Sequence, residues 1–192
     1  MIMRFVFSLV STLVMLTCAQ AQQAGTQAVI HTSVGEIVIE LYPDKAPATV
    51  ENFLQYAKTG HYDRTIIHRV VSGYVIQGGG YSRYFNERPT REPIAYEGGN
   101  GLKNRRGAIA MARGDDPDSA QAQWFINIQD NDDLDHKTVE GMPLYGYVVF
   151  GRVIEGMNVV DAIGAVETGP GGPFEAEVPV EQILVERVDP LE

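Results

Sequence analysis

The strongest constraint on the fold is the rhythm of the apolar residues, which come in short β-branched and aromatic runs closed off by Gly, Pro, Asn or Asp. Ala28–Thr32 and Glu36–Leu41 are separated only by Ser33-Val34-Gly35, the pattern of a hairpin. Further runs stand at Thr65–Val71, Tyr74–Gln77, Ala108–Ala112, Trp124–Ile128, Tyr147–Ile154 and Val180–Val188. Only two segments carry a helical period. Asp44-Lys45-Ala46-Pro47 reads as a helix start with proline in the first turn, and Val50, Phe53, Leu54 and Ala57 then recur at i, i+3, i+4 and i+7 until Gly60. Gly156–Ile163 reads as a second, shorter helix with Met157, Val160 and Ile163 on one side. Eight strands and two helices predict a mainly β domain, a barrel or a sandwich, spanning residues 22–192.

Two long segments lack periodicity. Residues 78–106 contain Gly78-Gly79-Gly80, Gly98-Gly99, Pro89 and Pro93, and residues 130–146 open with the acidic run Asp130-Asn131-Asp132-Asp133-Leu134-Asp135. Loops of such length in a compact domain usually carry function. The acidic run lacks the glycine and the terminal acid of a calcium loop, and the triple glycine does not lead into a phosphate-binding helix. His31, His61, His68 and His136 show no metal-ligand spacing. No metal and no cofactor is therefore expected.

The first residues point to export. Met1–Arg4 holds one positive charge, Phe5–Thr17 is uncharged and apolar, and Ala19-Gln20-Ala21 has the small-x-small form of a cleavage site. The run is shorter than the roughly 20 apolar residues of a spanning helix. Residues 1–21 are expected to be a signal peptide and the mature protein periplasmic, with secretion as an alternative. Tethering through a lipid on Cys18 is another, weakened by the bulky Thr17 before it. Cys18 is the only cysteine, so cleavage at residue 21 leaves no thiol chemistry or disulfide. The net charge is −10, and the leader contributes only Arg4 to it. Nucleic acid is an unsuitable partner for so acidic a chain.

Several segments together resemble the cyclophilin family. Ile67-His68-Arg69-Val70-Val71-Ser72-Gly73-Tyr74-Val75-Ile76-Gln77-Gly78-Gly79 resembles its signature, Gly107–Arg113 and Gln123–Asn127 its two central motifs, and Tyr147–Val153 the strand after its active-site loop. The resemblance implies a closed eight-stranded antiparallel β-barrel capped by two α-helices. It also implies peptidyl-prolyl cis/trans isomerase activity on flexible, proline-containing polypeptides.

Isomerisation breaks no bond. The barrier of about 18–20 kcal/mol comes from amide resonance, and a site that binds the twisted amide more tightly than either planar form lowers it. A hydrogen-bond donor near the prolyl nitrogen would do this. Arg69, permanently charged with several N–H groups in one plane, is the expected donor. The resemblance implies that Gln77 holds the arginine and the substrate backbone, with Gln123 a second backbone contact. Tyr74, Val75, Phe125 and Leu134 match the family's proline pocket, with Ala112 as a small wall. Arg113 and Tyr147 complete the expected substrate contacts, and His68 is expected to be a further contact or a hydrogen-bonded strand residue.

Three departures qualify the match: Tyr74 where many members have Phe, Tyr147 and Arg113 where eukaryotic members often have His and Asn, and Asp133 where drug-sensitive members have Trp. Weak binding of cyclosporin-type macrocycles is expected from the last. Nothing in the pattern calls for assembly, so a monomer is expected. A proline-peptide-binding chaperone or adaptor on the same scaffold is the alternative function. A carbohydrate-binding barrel would want exposed tryptophans, and the single Trp124 lies inside a strand motif.

Overall fold

The structure, a computed structural model, describes residues 26–191, so the expected leader falls outside the described residues. β1 (Gln27–Thr32) and β2 (Gly35–Leu41) form the predicted hairpin, and α1 (Pro47–Lys58) follows. Then come β3 (Thr65–Ile66), β4 (Arg69–Val71), β5 (Val75–Gly78), β6 (Ala108–Met111) and β7 (Trp124–Asn127). β8 (Lys137–Val139), β9 (Met142–Leu144), β10 (Val148–Glu155), α2 (Met157–Gly164), β11 (Thr168–Gly171), β12 (Phe174–Pro179) and β13 (Leu184–Leu191) complete the order.

The main sheet is antiparallel and runs β3-β13-β1-β2-β10-β6-β7-β5-β4. It has nine strands where eight were expected, because Thr65–Val71 is interrupted. Ile67 N donates to Ile183 O, beside β13, whereas His68 N donates to Gln77 O on β5. The segment thus changes partners at Ile67–His68, and the two edges of the sheet are consecutive in the chain. The second long segment holds a small hairpin, β8–β9, and another, β11–β12, lies between α2 and β13. The last strand starts later than expected, since Val180 is 63% exposed and pairs only through Glu167 O.

One face of the sheet carries the main core. Ile30, Ile37, Ile39, Ile76, Ile109, Ile126 and Phe150 form one cluster there with Val50 and Phe53 of α1 and Val160 and Ile163 of α2, and Phe53 lies 5.3 Å from the rings of both Tyr62 and Phe150. Burying a side chain of this size contributes about 1.5–3 kcal/mol. The start of α1 has no local cap. Glu97, from the first long loop, accepts from Ala48 N, Thr49 N and Thr49 Oγ1 at 2.9, 2.8 and 2.7 Å. A carboxylate there satisfies orphan N–H groups and complements the helix dipole. It also ties down the loop that carries it.

The opposite face carries a smaller apolar cluster of Val75, Ala108, Ala110, Phe125 and Val149. Period-2 alternation divides the residues: Ile76 and Ile126 point into the main core, while Val75, Phe125 and Asn127 lie on the other face. Against that second cluster the two long loops are pinned together by buried amides. Asn104 N donates to Asp135 Oδ1 at 2.8 Å, Asn104 Nδ2 to Leu134 O at 3.0 Å, and Asn131 Nδ2 to Asn127 Oδ1 at 2.8 Å.

Candidate active site

Arg69 on β4 pairs with Gln77 on β5, Gln77 with Phe125 on β7, and Phe125 with Ala110 on β6. Directly paired residues share a face, so register alone sets a guanidinium, an amide and an aromatic ring in one row. Arg69 Nη1 donates to Gln77 Oε1 at 3.3 Å, and Gln77 Nε2 donates to Gln123 Oε1 at 2.9 Å. The triple glycine gives these side chains room: a Cβ on Gly80 would stand 2.7 Å from Gln123 Cδ.

A cleft of about 290 Å³ opens beside this row, lined by Arg69, Tyr74, Val75, Gln77, Ala112, Arg113, Phe125, Leu134 and Tyr147. Phe125 and Val75 form a buried apolar floor, and Tyr147 meets Phe125 edge-on at 5.3 Å. Gln123 lines an adjoining cleft of about 210 Å³ that shares Gln77, Ala112 and Arg113 with the first. Ten of the eleven residues singled out from the sequence therefore converge on one surface.

His68 is the exception: its N–H donates to Gln77 O at 3.1 Å, as the hydrogen-bonded alternative expects, and its ring is not at the clefts where a substrate contact would place it. It is 3% exposed and lines neither cleft, stacking instead on Phe174 at 5.6 Å and meeting Tyr81 at 4.8 Å. Desolvation lowers its pKa to about 4, with the Arg69 charge adding to the effect. It is a neutral packing residue at neutral pH.

Arg113 is committed to the chain around it. Its Nε donates to Gly146 O at 3.0 Å, Nη2 to Tyr145 O at 2.6 Å and Nη1 to Gly114 O at 2.7 Å, and its guanidinium lies 5.1 Å from the Tyr147 ring centre. It acts as a wall that fastens the second loop. The Tyr74 hydroxyl, a polar atom needing a partner, donates to Asp133 Oδ2 at 2.7 Å. Desolvation and that carboxylate push the Tyr74 pKa up to about 12. Two departures from the family pattern are thus partners. The rest of the acidic run is also engaged: Asp130 and Asp132 pair with Arg105, and Asp135 lies 3.4 Å from Lys103 Nζ.

The sequence reading missed Glu177. Its Oε2 accepts from Arg69 Nε at 2.7 Å, across 108 positions of chain. No spacing or motif marks a partner so distant.

A protein-family model described as cyclophilin type peptidyl-prolyl cis-trans isomerase matches residues 28–189. The chain belongs to the cyclophilin family. It is 49% identical to peptidyl-prolyl cis-trans isomerase B of Escherichia coli over 158 residues, 82% of this chain and 95% of that protein. Peptidyl-prolyl cis-trans isomerase A of Dickeya dadantii is 43% identical over 168 residues, 88% of this chain and 86% of that one. A solved Cryptosporidium parvum cyclophilin, crystallised in the presence of the dipeptide Ala-Pro, superimposes with a TM-score of 0.69 at 25% identity, covering 86% of this chain and 99% of the other. This cyclophilin is accordingly a peptidyl-prolyl cis-trans isomerase with the mainly β, two-helix fold of its family.

Proposed function

We propose that this cyclophilin rotates X-Pro bonds in exported proteins and so assists their folding, with Arg69 as the donor to the prolyl nitrogen. The proline ring would sit on Phe125 and Val75, flanked by Tyr74 and Leu134. Gln77 and Gln123 would hold the substrate backbone, and Ala112 would leave space for the preceding residue. As the amide twists, its nitrogen regains a lone pair, and a positioned cationic donor beside an apolar floor stabilises that state more than either planar one. The observation that carries the reading is that Arg69, tied to Gln77, lines a cleft floored by Phe125. Its Nη2 has no partner among the described residues. The cleft fits a proline-containing peptide, the class to which the Ala-Pro of the Cryptosporidium structure belongs.

The test is an isomerase assay on Ala-Pro peptides. Arg69→Ala is expected to lower kcat/KM by about 10²–10³, the range for removal of one preorganised donor. A protein with no rate above the thermal background would leave only the peptide-binding chaperone or adaptor reading. Export rests on the leader, and a mature chain starting at Gln22 in the periplasmic fraction is the expected result. Counting Thr65–Val71 as one bent strand reduces nine strands to eight and returns their order on itself, which supports a closed barrel. A monomer and weak macrocycle binding, through Asp133, belong to the same reading.

A further inference from the structure

We propose that Glu177 is a positioning residue for isomerisation: delivered by a bulged hairpin, it fixes the plane of the Arg69 guanidinium. The inference rests on the reading of Arg69 as donor. Arg69 is a long side chain on the three-residue edge strand β4, with 39% of its side chain exposed. Backbone pairing places its Cα and leaves its guanidinium free to rotate. Gln77 restrains one terminal nitrogen, at 3.3 Å. One bond to a fork of five donors still permits roll about its axis. Glu177 takes Nε–H at 2.7 Å, the shorter of the two contacts, and two acceptors on different nitrogens define a plane.

The hairpin is shaped for this delivery. Gly169 pairs with Val178 and Gly171 with Phe174, so one residue on β11 faces three on β12. The surplus residues bulge, and bulges beside active sites re-aim side chains. Glu177 lies in the bulge at φ +67°, a left-handed conformation uncommon for a residue with a Cβ. Such strain persists only where the surroundings fix it. Here Val178 and Pro179 are buried, and Phe174 stacks on His68 and meets Tyr81 edge-on at 5.1 Å. The His68–Phe174 stack seats the hairpin against the neighbour of Arg69.

Glu177→Gly separates positioning from folding, because glycine relieves the positive φ while removing the carboxylate. Its Tm should equal or exceed that of the parent, and its kcat should fall about tenfold or more with KM little changed, as a misplaced catalytic group produces. Glu177→Gln keeps an acceptor for Nε–H and should recover part of the loss. Both should be silent in an Arg69→Ala background. Full activity in Glu177→Gly, or an equal loss with and without Arg69, would overturn the proposal. If Arg69→Ala itself were fully active, the donor reading would fail instead, and the two failures are told apart by the single variants.

Discussion

The candidate pocket has two walls held in place by different means. On the strand wall, Arg69, Gln77 and Phe125 owe their positions to the antiparallel register of β4, β5 and β7, and each polar group is tied to another side chain. On the loop wall, Leu134, Asp133 and Tyr147 belong to a segment with little regular structure. It is fastened by Arg113 gripping backbone carbonyls and by the buried Asn104, Asn127, Asn131 and Asp135 group. A wall set by register is rigid by construction. A wall set by buried polar bonds depends on every bond being made.

The largest expected effect strikes the strand wall from beneath. His68 is neutral in the fold, with a pKa of about 4 against 6.5 for a free imidazole, so the unfolded chain binds the extra proton. Stability from this source is complete above about pH 6.5 and is lost as pH falls toward 4, by up to about 3 kcal/mol. Carboxylates titrate in part of the same window, so the measurement is a difference. Tm followed from pH 7 to 4 should fall more steeply in the parent than in His68→Phe. Parallel curves would remove His68 as the weak joint of this wall.

The loop wall should break more locally. Asp135→Ala leaves the Asn104 N–H, in a residue 1% exposed, without its partner. An orphaned buried donor costs about 1–3 kcal/mol, and each kcal/mol lowers Tm by roughly 2–4 °C at this size. The loop carrying Leu134 then loosens, so KM should rise more than kcat falls. An unchanged KM would mean that the amide group stabilises the fold without shaping the pocket.

How far each wall could be read in the sequence follows from the same contrast. The strand wall was legible because Arg69, Gln77 and Phe125 fall in short contiguous segments that resemble the family's motifs, and α1 was legible because its stripe and its proline are contiguous. Thr65–Val71 was misread as one strand, since a change of hydrogen-bond partner leaves no mark on an unbroken apolar run. For His68 the sequence leaves a substrate contact and a hydrogen-bonded strand residue both open, and its place beside Arg69 does not decide between them, because adjacent strand residues point to opposite faces. Phe174, which claims its ring, lies more than a hundred positions away. Glu97 and Glu177 escaped notice for the same reason: a carboxylate that acts at long range looks like any surface acid.

A smaller perturbation tests the far end of the strand wall alone. Gly80→Ala would push the Gln123 amide away and break its bond to Gln77, leaving Arg69, Glu177 and Phe125 in place. A net hydrogen bond is worth about 0.5–1.5 kcal/mol, so kcat/KM should drop roughly two- to tenfold with Tm nearly constant. A drop as large as that of Arg69→Ala would show that the amide relay, rather than the guanidinium, dominates catalysis.

The smallest effect is expected where the two walls touch. Tyr74 reaches across the pocket mouth to Asp133, and both partners have access to water, so the bond competes with solvent at each end. Tyr74→Phe keeps the ring that would flank the proline and removes only the hydroxyl, so kcat/KM should change by less than about threefold, as for an exposed hydrogen bond. The hydroxyl stays protonated until near pH 12, so the rate should also show no step from this group between pH 6 and 9. The informative measurement is macrocycle affinity in both Tyr74→Phe and Asp133→Trp. If Asp133 limits binding through the missing aromatic, only Asp133→Trp should tighten it. If the Tyr74–Asp133 bridge limits it by closing the mouth, Tyr74→Phe should tighten it as well, and the loop wall would then owe its selectivity to a contact with the strand wall.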